Sequence, residues 1–540
     1  MAEKEKAKKL FARAKRNWFW GKKQKAISLL QKAIEYDSND PQLWGFLGRA
    51  YFDQKQYIKF QEAVLYAFEL DREDKENCYN LGVSYLHSGM VEEARELFQK
   101  AIELDERHIN SWIGLGNVDL QQKRYEESER IFKQAIDLRV RNVSSWHGLG
   151  ILYSETGKYK ESEDAFRFAI RLDRKFVPAW NGLGNLFGIQ TKYKKAERAF
   201  RRAIKLGGGY SAPWHGLGNV YLGMKKYKEA EQAFRRAIEL DEKDIYPWNG
   251  LGILYTEIDN LAEAEQAFQR AIELDEKFSA PWIGLGNLYQ GMKKYADAEG
   301  AYQQAINLDK IDIASWNGLG NVFSRQGKFE KAKKAYRQVI ELDENQFAPW
   351  IGLGNGYYVL GRFEKAEEAY RHAIKLNPNL SVPWNGIGNL YIVQENYMQA
   401  EEAFRRAIEL DELNAFPWHG LGTVFRRQGE IEKALSAYQK AAELGSKNVI
   451  FRNVLIGIYN SLGRLAEKEE AVAAVKPFIN KENEYIQACF YANTGEKEKA
   501  MRLLAIAVEK RQENLDWVRS DPELESLHAD PRFLALVGEG

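Results

Sequence analysis

Apolar residues recur along most of this chain with the 3.6-residue period of helices that bury one face. In residues 211–244 a first apolar stripe consists of Trp214, Leu217, Gly218 and Tyr221. After the short polar turn "GMKKY", a second stripe with three- and four-residue spacing consists of Ala230, Phe234, Ala237 and Ile238. The two stripes predict two amphipathic helices, here called helix A and helix B, which form a hairpin.

This helix pair is repeated with a fixed period. Trp occurs at positions 44, 112, 146, 180, 214, 248, 282, 316, 350, 384 and 418, in steps of 34 or 68 residues, and Cys78 fills the one gap. A constant period of this length indicates a solenoid in which neighbouring units bury each other's apolar faces. We predict fourteen units over residues 7–482, beginning at residues 7, 41, 75, 109, 143, 177, 211, 245, 279, 313, 347, 381, 415 and 449. Positions within a unit are called places 1 to 34.

The ends of the chain depart from this pattern. Residues 1–6 are predicted to be a basic extension, and the basic, aromatic start of the chain either caps the solenoid or contacts an acidic partner or a membrane surface. Residues 483–540 are predicted to form a degenerate hairpin and a C-terminal cap. We expect the cap to seal the apolar edge of the last hairpin with Trp517, Leu524, Leu527, Phe533 and Leu536.

The glycines of "GLGN" raise the alternative of a phosphate-binding loop. Such a loop follows a strand and opens a helix, and a dinucleotide fingerprint needs a third glycine where this chain has Tyr221. Gly216 and Gly218 instead lie inside the predicted helix A. We therefore expect no bound nucleotide, although retention of nucleotide by the purified protein would revive the alternative.

The unit closely resembles the tetratricopeptide repeat family, in a long array of the bacterial or archaeal type. The family pattern is matched by Trp214, Leu217, Gly218, Tyr221, Ala230, Phe234 and Ala237. The family's proline after helix B is mostly absent here. The resemblance implies an all-α fold, a right-handed α-solenoid superhelix of helix-turn-helix hairpins. It also implies that helices A line a concave groove in which ligands bind.

Two places of helix A carry the candidate binding residues. Place 9, which is predicted to face the groove, is asparagine in seven units: Asn117, Asn185, Asn219, Asn287, Asn321, Asn355 and Asn389. Place 5, on its flank, is asparagine at 68-residue intervals and histidine in three of the alternate units: Asn181, Asn249, Asn317, Asn385, His147, His215 and His419. Place 6 is glycine, which predicts bare backbone on the groove floor.

An asparagine side chain carries two donors and an acceptor, so it can pair with both polar groups of a peptide unit. A ladder of asparagines would hold an extended chain by its backbone. The alternative is that these amides are solvated or bridge adjacent helices A. The histidines have no second ligand at metal spacing, so we expect no metal.

Composition narrows the remaining choices. Lys plus Arg (78) almost balances Asp plus Glu (77), which argues against nucleic acid as a partner. Two cysteines and no long apolar run lead us to expect a cytoplasmic protein without a membrane span. No catalytic motif is visible, so we expect neither an enzyme nor a cofactor.

We therefore predict a non-catalytic protein–protein interaction scaffold that binds a peptide or protein segment along the concave groove. An alternative of a different class is a sensor or regulatory subunit that recruits or controls a separately encoded enzyme. RNA binding by a helical repeat is a weaker alternative, because helix A shows no base-reading pattern. The sequence leaves the partner and the oligomeric state open.

Overall fold

The computed structural model describes residues 2–445, 448–510 and 512–538, and within these ranges all regular structure is helical. The prediction of an all-α solenoid is confirmed. Two compact units divide the chain, Met1–Leu254 and Tyr255–Gly540, with the boundary inside one helix. No helix of the described residues is long and apolar enough to cross a bilayer.

Helices of the first unit follow one another as A and B members of successive pairs, with odd numbers for helices A and even numbers for helices B. Their bounds are α1 Ala2–Phe19, α2 Lys23–Tyr36, α3 Pro41–Phe52, α4 Tyr57–Leu70, α5 Lys75–His87, α6 Val91–Leu104, α7 Ile109–Gln121, α8 Tyr125–Leu138, α9 Val143–Glu155, α10 Tyr159–Leu172, α11 Val177–Ile189, α12 Tyr193–Leu206, α13 Ser211–Gly223, α14 Tyr227–Leu240 and α15 Ile245–Glu257, whose end belongs to the second unit.

The second unit continues the same alternation as far as α28 and then changes character. Its bounds are α16 Leu261–Leu274, α17 Ser279–Gly291, α18 Tyr295–Leu308, α19 Ile313–Arg325, α20 Phe329–Leu342, α21 Ala348–Val359, α22 Phe363–Leu376, α23 Ser381–Val393, α24 Tyr397–Leu410, α25 Ala415–Arg427, α26 Ile431–Leu444, α27 Val449–Ser461, α28 Leu465–Val475, a 3₁₀ turn Ile479–Lys481, α29 Glu484–Thr494, α30 Lys497–Glu509, α31 Leu515–Ser520, a 3₁₀ helix Pro522–Leu527 and α32 Pro531–Val537.

The turn between helices A and B has the same backbone conformation in every unit of 34 residues. Place 15 has a left-handed φ between 56° and 80° throughout, a region in which glycine alone is free of steric cost. Half of these residues are glycine and half are not: Gly21, Lys55, Gly89, Lys123, Gly157, Thr191, Lys225, Asp259, Lys293, Gly327, Gly361, Glu395, Gly429 and Gly463. Packing of the two helices therefore imposes this conformation even where the side chain opposes it.

In the eleven pairs from α5–α6 to α25–α26, the centre of the pair is the aromatic ring at place 24, on helix B. Phe98, Phe132, Phe166, Phe200 and Phe234 are all at most 1 % exposed. The tryptophans at place 4, which define the sequence period, are only half-buried. Several of them tie helix A to the preceding turn instead: Trp112 Nε1, for example, donates to the carbonyl oxygen of Glu106 at 2.8 Å.

The predicted N-terminal extension is helical. Residues 2–6 lie in α1, which begins at Ala2, and the boundary at residue 7 stays a prediction. Ala7 and Ala14 of α1 are buried in one cluster with Leu30 of α2, so α1 packs as helix A of the first pair. Phe19 and Trp20 at its end are exposed.

Candidate functional site

The two glycines of helix A make room for the aromatic rings at place 24. A methyl group added at Gly184, at place 8, would lie 2.7 Å from Cε1 of Phe200 in the same unit. A methyl group added at Gly216, at place 6 of the next unit, would lie 2.4 Å from the same ring atom. The ring of Phe200 is thus held between two successive helices A, each of which approaches it with bare backbone.

This arrangement recurs along the chain and corrects the interpretation of place 6. Place 6 does not form a groove floor of bare backbone, because the glycine backbone is covered by the ring of the preceding unit. The same contacts join Phe132 to Gly116 and Gly148, and Tyr302 to Gly286 and Gly318. The "GLGN" stretch is therefore a packing motif within a helix, and no strand precedes it in the described residues.

Successive helices A pack directly against one another as a result. Such contacts join α9 to α11 and α11 to α13 in the first unit, and α19 to α21 and α21 to α23 in the second. In the described residues, successive helices B lie further apart than successive helices A. We call the exposed side of helices A the inner surface.

Place 9 lies on this inner surface, three residues after the glycine of place 6. Asn117, Asn185, Asn219, Asn287 and Asn355 have exposed side chains. Asn321 and Asn389 are half-buried. A helix presents place 9 once per unit, so the amides form a row along each of the two compact units.

Tyrosine at place 24 engages three of these amides within their own unit. Tyr302 donates its hydroxyl proton to Oδ1 of Asn287 at 2.6 Å, and Tyr336 donates to Oδ1 of Asn321 at 2.7 Å. Tyr370 does the same to Asn355 at 2.7 Å. Burial raises the pKa of all three phenols, which therefore stay protonated and act as donors. The sequence signal for this bond is Tyr rather than Phe at place 24, and sequence reasoning overlooked it.

Units with Phe at place 24 leave the asparagine unengaged by that ring. Asn117 and Asn185 have no hydrogen-bond partner among the described residues, whereas Nδ2 of Asn219 lies 3.0 Å from Nε2 of His215. Asn117 and Asn185 therefore present both donors and the acceptor of their amides to solvent. The inner surface of the first unit is where unengaged amides concentrate.

Place 5 lies between successive pairs, not on the open part of the inner surface. Each of its asparagines is half-buried, with a buried Oδ1 that has no partner among the described residues: Asn181, Asn249, Asn317 and Asn385. The ring of His147 lies 5.8 Å from Phe166 of its own unit and 5.6 Å from Phe176, which precedes the next helix A. A role of place 5 in partner binding stays a prediction.

Burial holds the histidines at place 5 in their neutral form. Loss of solvent lowers the pKa of His147 to about 4 and that of His419 to about 4, and it lowers the pKa of His215. Among the described residues, no group of three His, Cys, Asp or Glu side chains is arranged to hold a metal ion.

The C-terminal residues cover part of the inner surface of the second unit. Asn514 Nδ2 donates to the carbonyl oxygen of Tyr358 in α21 at 3.0 Å, and Arg426 of α25 donates to the carbonyl oxygen of Pro522 at 3.0 Å. Trp517 packs against the core between them. We call residues 512–527 the C-terminal segment.

The cap expected from the sequence also packs against the last hairpin. Leu524, Leu527 and Phe533 are at most 1 % exposed and share one cluster with Leu504 of α30. Sequence reasoning found this packing surface but missed that the C-terminal segment continues across earlier units, because no periodic pattern marks that contact.

Helices B carry the solvated charges of the outer side. Arg201 pairs with Glu197 at 2.9 Å, and Arg405 pairs with Glu401 at 2.7 Å, each with its arginine more than half exposed. Exposed pairs one helical turn apart contribute about 0.3–0.5 kcal/mol each. They point to a solubilising face, not to a binding site.

Comparisons with known proteins agree with this architecture. The model of the cilia and flagella-associated protein 70 C-terminal domain matches residues 307–513, and that of its middle TPR-like domain matches residues 57–172. Tetratricopeptide repeat models match residues 147–211, 211–244, 245–278 and 279–312. Three of these matches begin where predicted units begin. None of these six models describes an enzyme.

Solved structures of other proteins are also similar to this chain, and one example covers much of it. The crystal structure of the APC/C hetero-tetramer Cut9-Hcn1 contains a chain with 14% sequence identity and a TM-score of 0.44, over 85% of this chain and 95% of that chain. A likeness at that score supports no conclusion about this chain. No curated protein matches this chain.

The matched models bear directly on the family expected from the sequence. Together they follow the repeats from residue 57 to residue 513, where the structure shows helix pairs of the same period. The expected bacterial or archaeal type is not supported, because two of the models describe a cilia and flagella-associated protein. The chain belongs to the tetratricopeptide repeat family.

Proposed function

We propose that this chain is a non-catalytic scaffold that binds an extended segment of a partner protein along its inner surface. The observation that carries the proposal is the row of exposed amides at place 9. In the first unit, Asn117 and Asn185 have no partner among the described residues. An asparagine amide can donate to a peptide carbonyl and accept from a peptide N–H, whatever the side chains of the partner.

The rigidity of the surface also favours this function. Successive helices A are fixed by rings such as that of Phe200, which touches the backbone of two of them. A preorganised row of amides loses little freedom when a partner binds, so more of the hydrogen-bond energy appears as affinity. A contact within the chain also supports the proposal: Asn514 Nδ2 donates to the carbonyl oxygen of Tyr358, so a non-repeat segment of this chain lies against helix α21.

The expected energy is modest for each residue and substantial for the row. A net hydrogen bond contributes about 0.5–1.5 kcal/mol, so three amides contribute about 3 kcal/mol, which is roughly a hundredfold in Kd. The place-5 residues would contribute to the binding energy at most through their exposed atoms. We place the function in the cytoplasm, in keeping with two buried cysteines that are both unpaired.

The test is a triple variant of the first unit, with Asn117, Asn185 and Asn219 changed to alanine. We expect binding of its partners in pull-down and titration to weaken by roughly a hundredfold while helicity is unchanged. The matched control is Asn307→Ala, which removes an exposed amide from helix B. If the triple variant retains every partner at wild-type affinity, the inner surface is not the binding surface.

A further inference from the structure

A cavity lies between the C-terminal segment and the last helices A of the second unit. Its volume is about 360 Å³, and the described residues that line it come from both sides. Helices α25 and α27 contribute His419, Thr423 and Asn453, and the C-terminal segment contributes Glu513, Trp517, Asp521 and Glu523. This site is distinct from the exposed amides of the first unit.

The wall formed by the C-terminal segment is acidic. Asp521 is 4 % exposed and accepts a hydrogen bond from the hydroxyl group of Tyr485. Glu523 accepts a hydrogen bond from Nδ2 of Asn453 at 2.9 Å. Glu513 accepts from the backbone N–H of Asn514 at 3.0 Å. Three carboxyl groups therefore border one enclosed space.

Two arginines oppose these carboxyl groups. Arg325 of α19 lines the cavity and is exposed to solvent. The buried side chain of Arg426 is the cation whose field reaches Glu523, but its guanidinium donates to the carbonyl oxygen of Pro522 and lies 3.7 Å from the exposed Glu525. Glu513 has no ion pair among the described residues, and its strongest charged neighbour is Asp521, which has the same sign. Burying carboxyl groups without a counter-charge is unfavourable unless they take up protons or meet a cation.

Hydrogen-bond acceptors are also in excess. Asn453 is 1 % exposed and lines the cavity, and its Oδ1 has no partner among the described residues. Nε2 of the neutral His419 is likewise buried and unpartnered within those residues, and it accepts or donates a hydrogen bond according to the tautomer. Buried polar atoms are almost always satisfied in native proteins, so an unfilled acceptor at a cavity wall indicates a missing donor.

Aromatic rings complete the walls. Trp517 and Tyr358 line the cavity from the C-terminal segment and α21, and Phe416, 51 % exposed, stands at its rim. Ring faces attract cations within about 6 Å. A bare metal ion does not fit this donor set, because no group of three described acidic, His or Cys side chains is arranged to hold one.

We propose that this cavity binds the guanidinium or ammonium group of an organic cation. The cation would supply the missing donors to Asn453 and the carboxylates, and it would bridge the C-terminal segment to α25 and α27. Its source is either an arginine or lysine side chain of a partner protein or a free small molecule. The proposal does not depend on binding along the first unit.

Protonation of the acidic groups gives an independent readout of cation binding. Burial raises the pKa of Glu513 to about 7, and burial together with Asp521 raises the pKa of Glu523, against the opposing charge of Arg426. A bound cation favours the ionised carboxylates, so binding near neutral pH releases protons. Affinity is therefore expected to rise with pH.

The experiment is calorimetric titration of the full chain with ethylguanidinium and, separately, with the peptide acetyl-Gly-Arg-Gly-amide. Ethylurea, which has the same shape without the charge, is the matched probe. We expect saturable binding of one cation per chain, with proton release and no binding of ethylurea. Tighter binding of the peptide identifies a protein side chain as the source, and tighter binding of ethylguanidinium identifies a small molecule.

The variant Glu523→Gln removes one charge and keeps the shape of the side chain, and Glu509→Gln changes an exposed carboxyl group of α30 outside the cavity as the control. We expect affinity to fall by about tenfold or more in Glu523→Gln and to stay unchanged in Glu509→Gln. Absence of saturable binding of either cation up to about 10 mM, or equal binding of ethylurea, overturns the proposal. If Glu523→Gln does not fold, the pH dependence of the wild type takes its place: an affinity that fails to rise between about pH 6 and about pH 9 also overturns the proposal.

Discussion

The substitution Gly216→Ala tests the packing that fixes the inner surface. Its new methyl group would lie 2.4 Å from both Cε1 and Cζ of Phe200, whereas ordinary carbon contacts are about 3.5–4 Å. The ring has little room to move, because the same ring atoms also meet the backbone of Gly184, where a methyl group would lie 2.7 Å from Cε1. One of the three helices α11, α12 and α13 must therefore move.

Two opposing terms decide the magnitude. Alanine gains about 1 kcal/mol over glycine inside a helix. Overpacking a closed core site costs about 1–3 kcal/mol, and this site is at the upper end because the ring is 1 % exposed and lies close to the backbone of two helices A. We expect Gly216→Ala to lower the free energy of unfolding by about 1–2 kcal/mol.

Gly300→Ala is the matched control, because Gly300 lies inside α18 with no atom within 4 Å of the added methyl. Without overpacking, we expect it to stabilise the protein by about 1 kcal/mol. Chemical denaturation followed by circular dichroism measures both changes, and hydrogen exchange of α12 and α13 localises the effect of Gly216→Ala.

A double-mutant cycle identifies the cause. In a Phe200→Leu background the ring is gone, so Gly216→Ala should lose most of its cost, with a coupling energy of about 1 kcal/mol or more. Stabilisation by Gly216→Ala equal to that by Gly300→Ala, or a coupling energy near zero, would refute the packing argument.

Three further predictions follow from the same structure. Gly157→Ala should destabilise by about 1 kcal/mol in thermal denaturation, because φ at Gly157 is 73° and the added methyl meets no compensating contact; an unchanged Tm would contradict this. The pKa values of His147 and His419 are about 4 in the folded state against about 6.5 in the unfolded state, so their contribution to stability is full above pH 6.5 and is lost as pH falls toward 4, by about 2 kcal/mol per histidine at pH 5. The variant His147→Asn, which carries the residue of alternate units, should remove the part of this pH dependence that is due to His147. Denaturation at pH 8 and pH 5 measures the difference. Tyr336→Phe should cost about 1 kcal/mol through the lost bond to Asn321, whereas Asn185→Ala, which removes no internal bond, should change stability by less than about 0.5 kcal/mol; equal losses in chemical denaturation would argue against the distinction between the two kinds of unit.

The helix pairs were predictable because their cause is local and repeated. The apolar spacing predicts which helix faces are buried, first through Trp214, Leu217 and Tyr221 and then through Ala230 and Phe234. The 34-residue period predicts how the pairs follow one another. The matched tetratricopeptide repeat models agree with that period. By contrast, Trp214 marks the repeat without being its most buried residue, because pattern alone does not rank burial.

Contacts between units were harder to foresee. Gly216 was expected on the groove floor, yet it lies under Phe200 of the preceding unit, since helical periodicity gives a direction and not the position of the neighbouring ring. The bond from Tyr302 to Asn287 depends on one hydroxyl group that the apolar pattern ignores. The contact of Asn514 with Tyr358 joins residues 156 positions apart in the sequence, and no repeat pattern predicts it.

The most direct measurement is site-specific photo-crosslinking of a bound partner from the inner surface. A photoreactive side chain is placed in turn at Asn117, at Asn185 and, as the outer control, at Asn307 of helix B. The prediction is that the two inner positions crosslink to successive sites along one extended segment of the partner and that the outer position does not. Crosslinks from Asn307 alone, or sites scattered over the partner without order, would contradict binding along the inner surface.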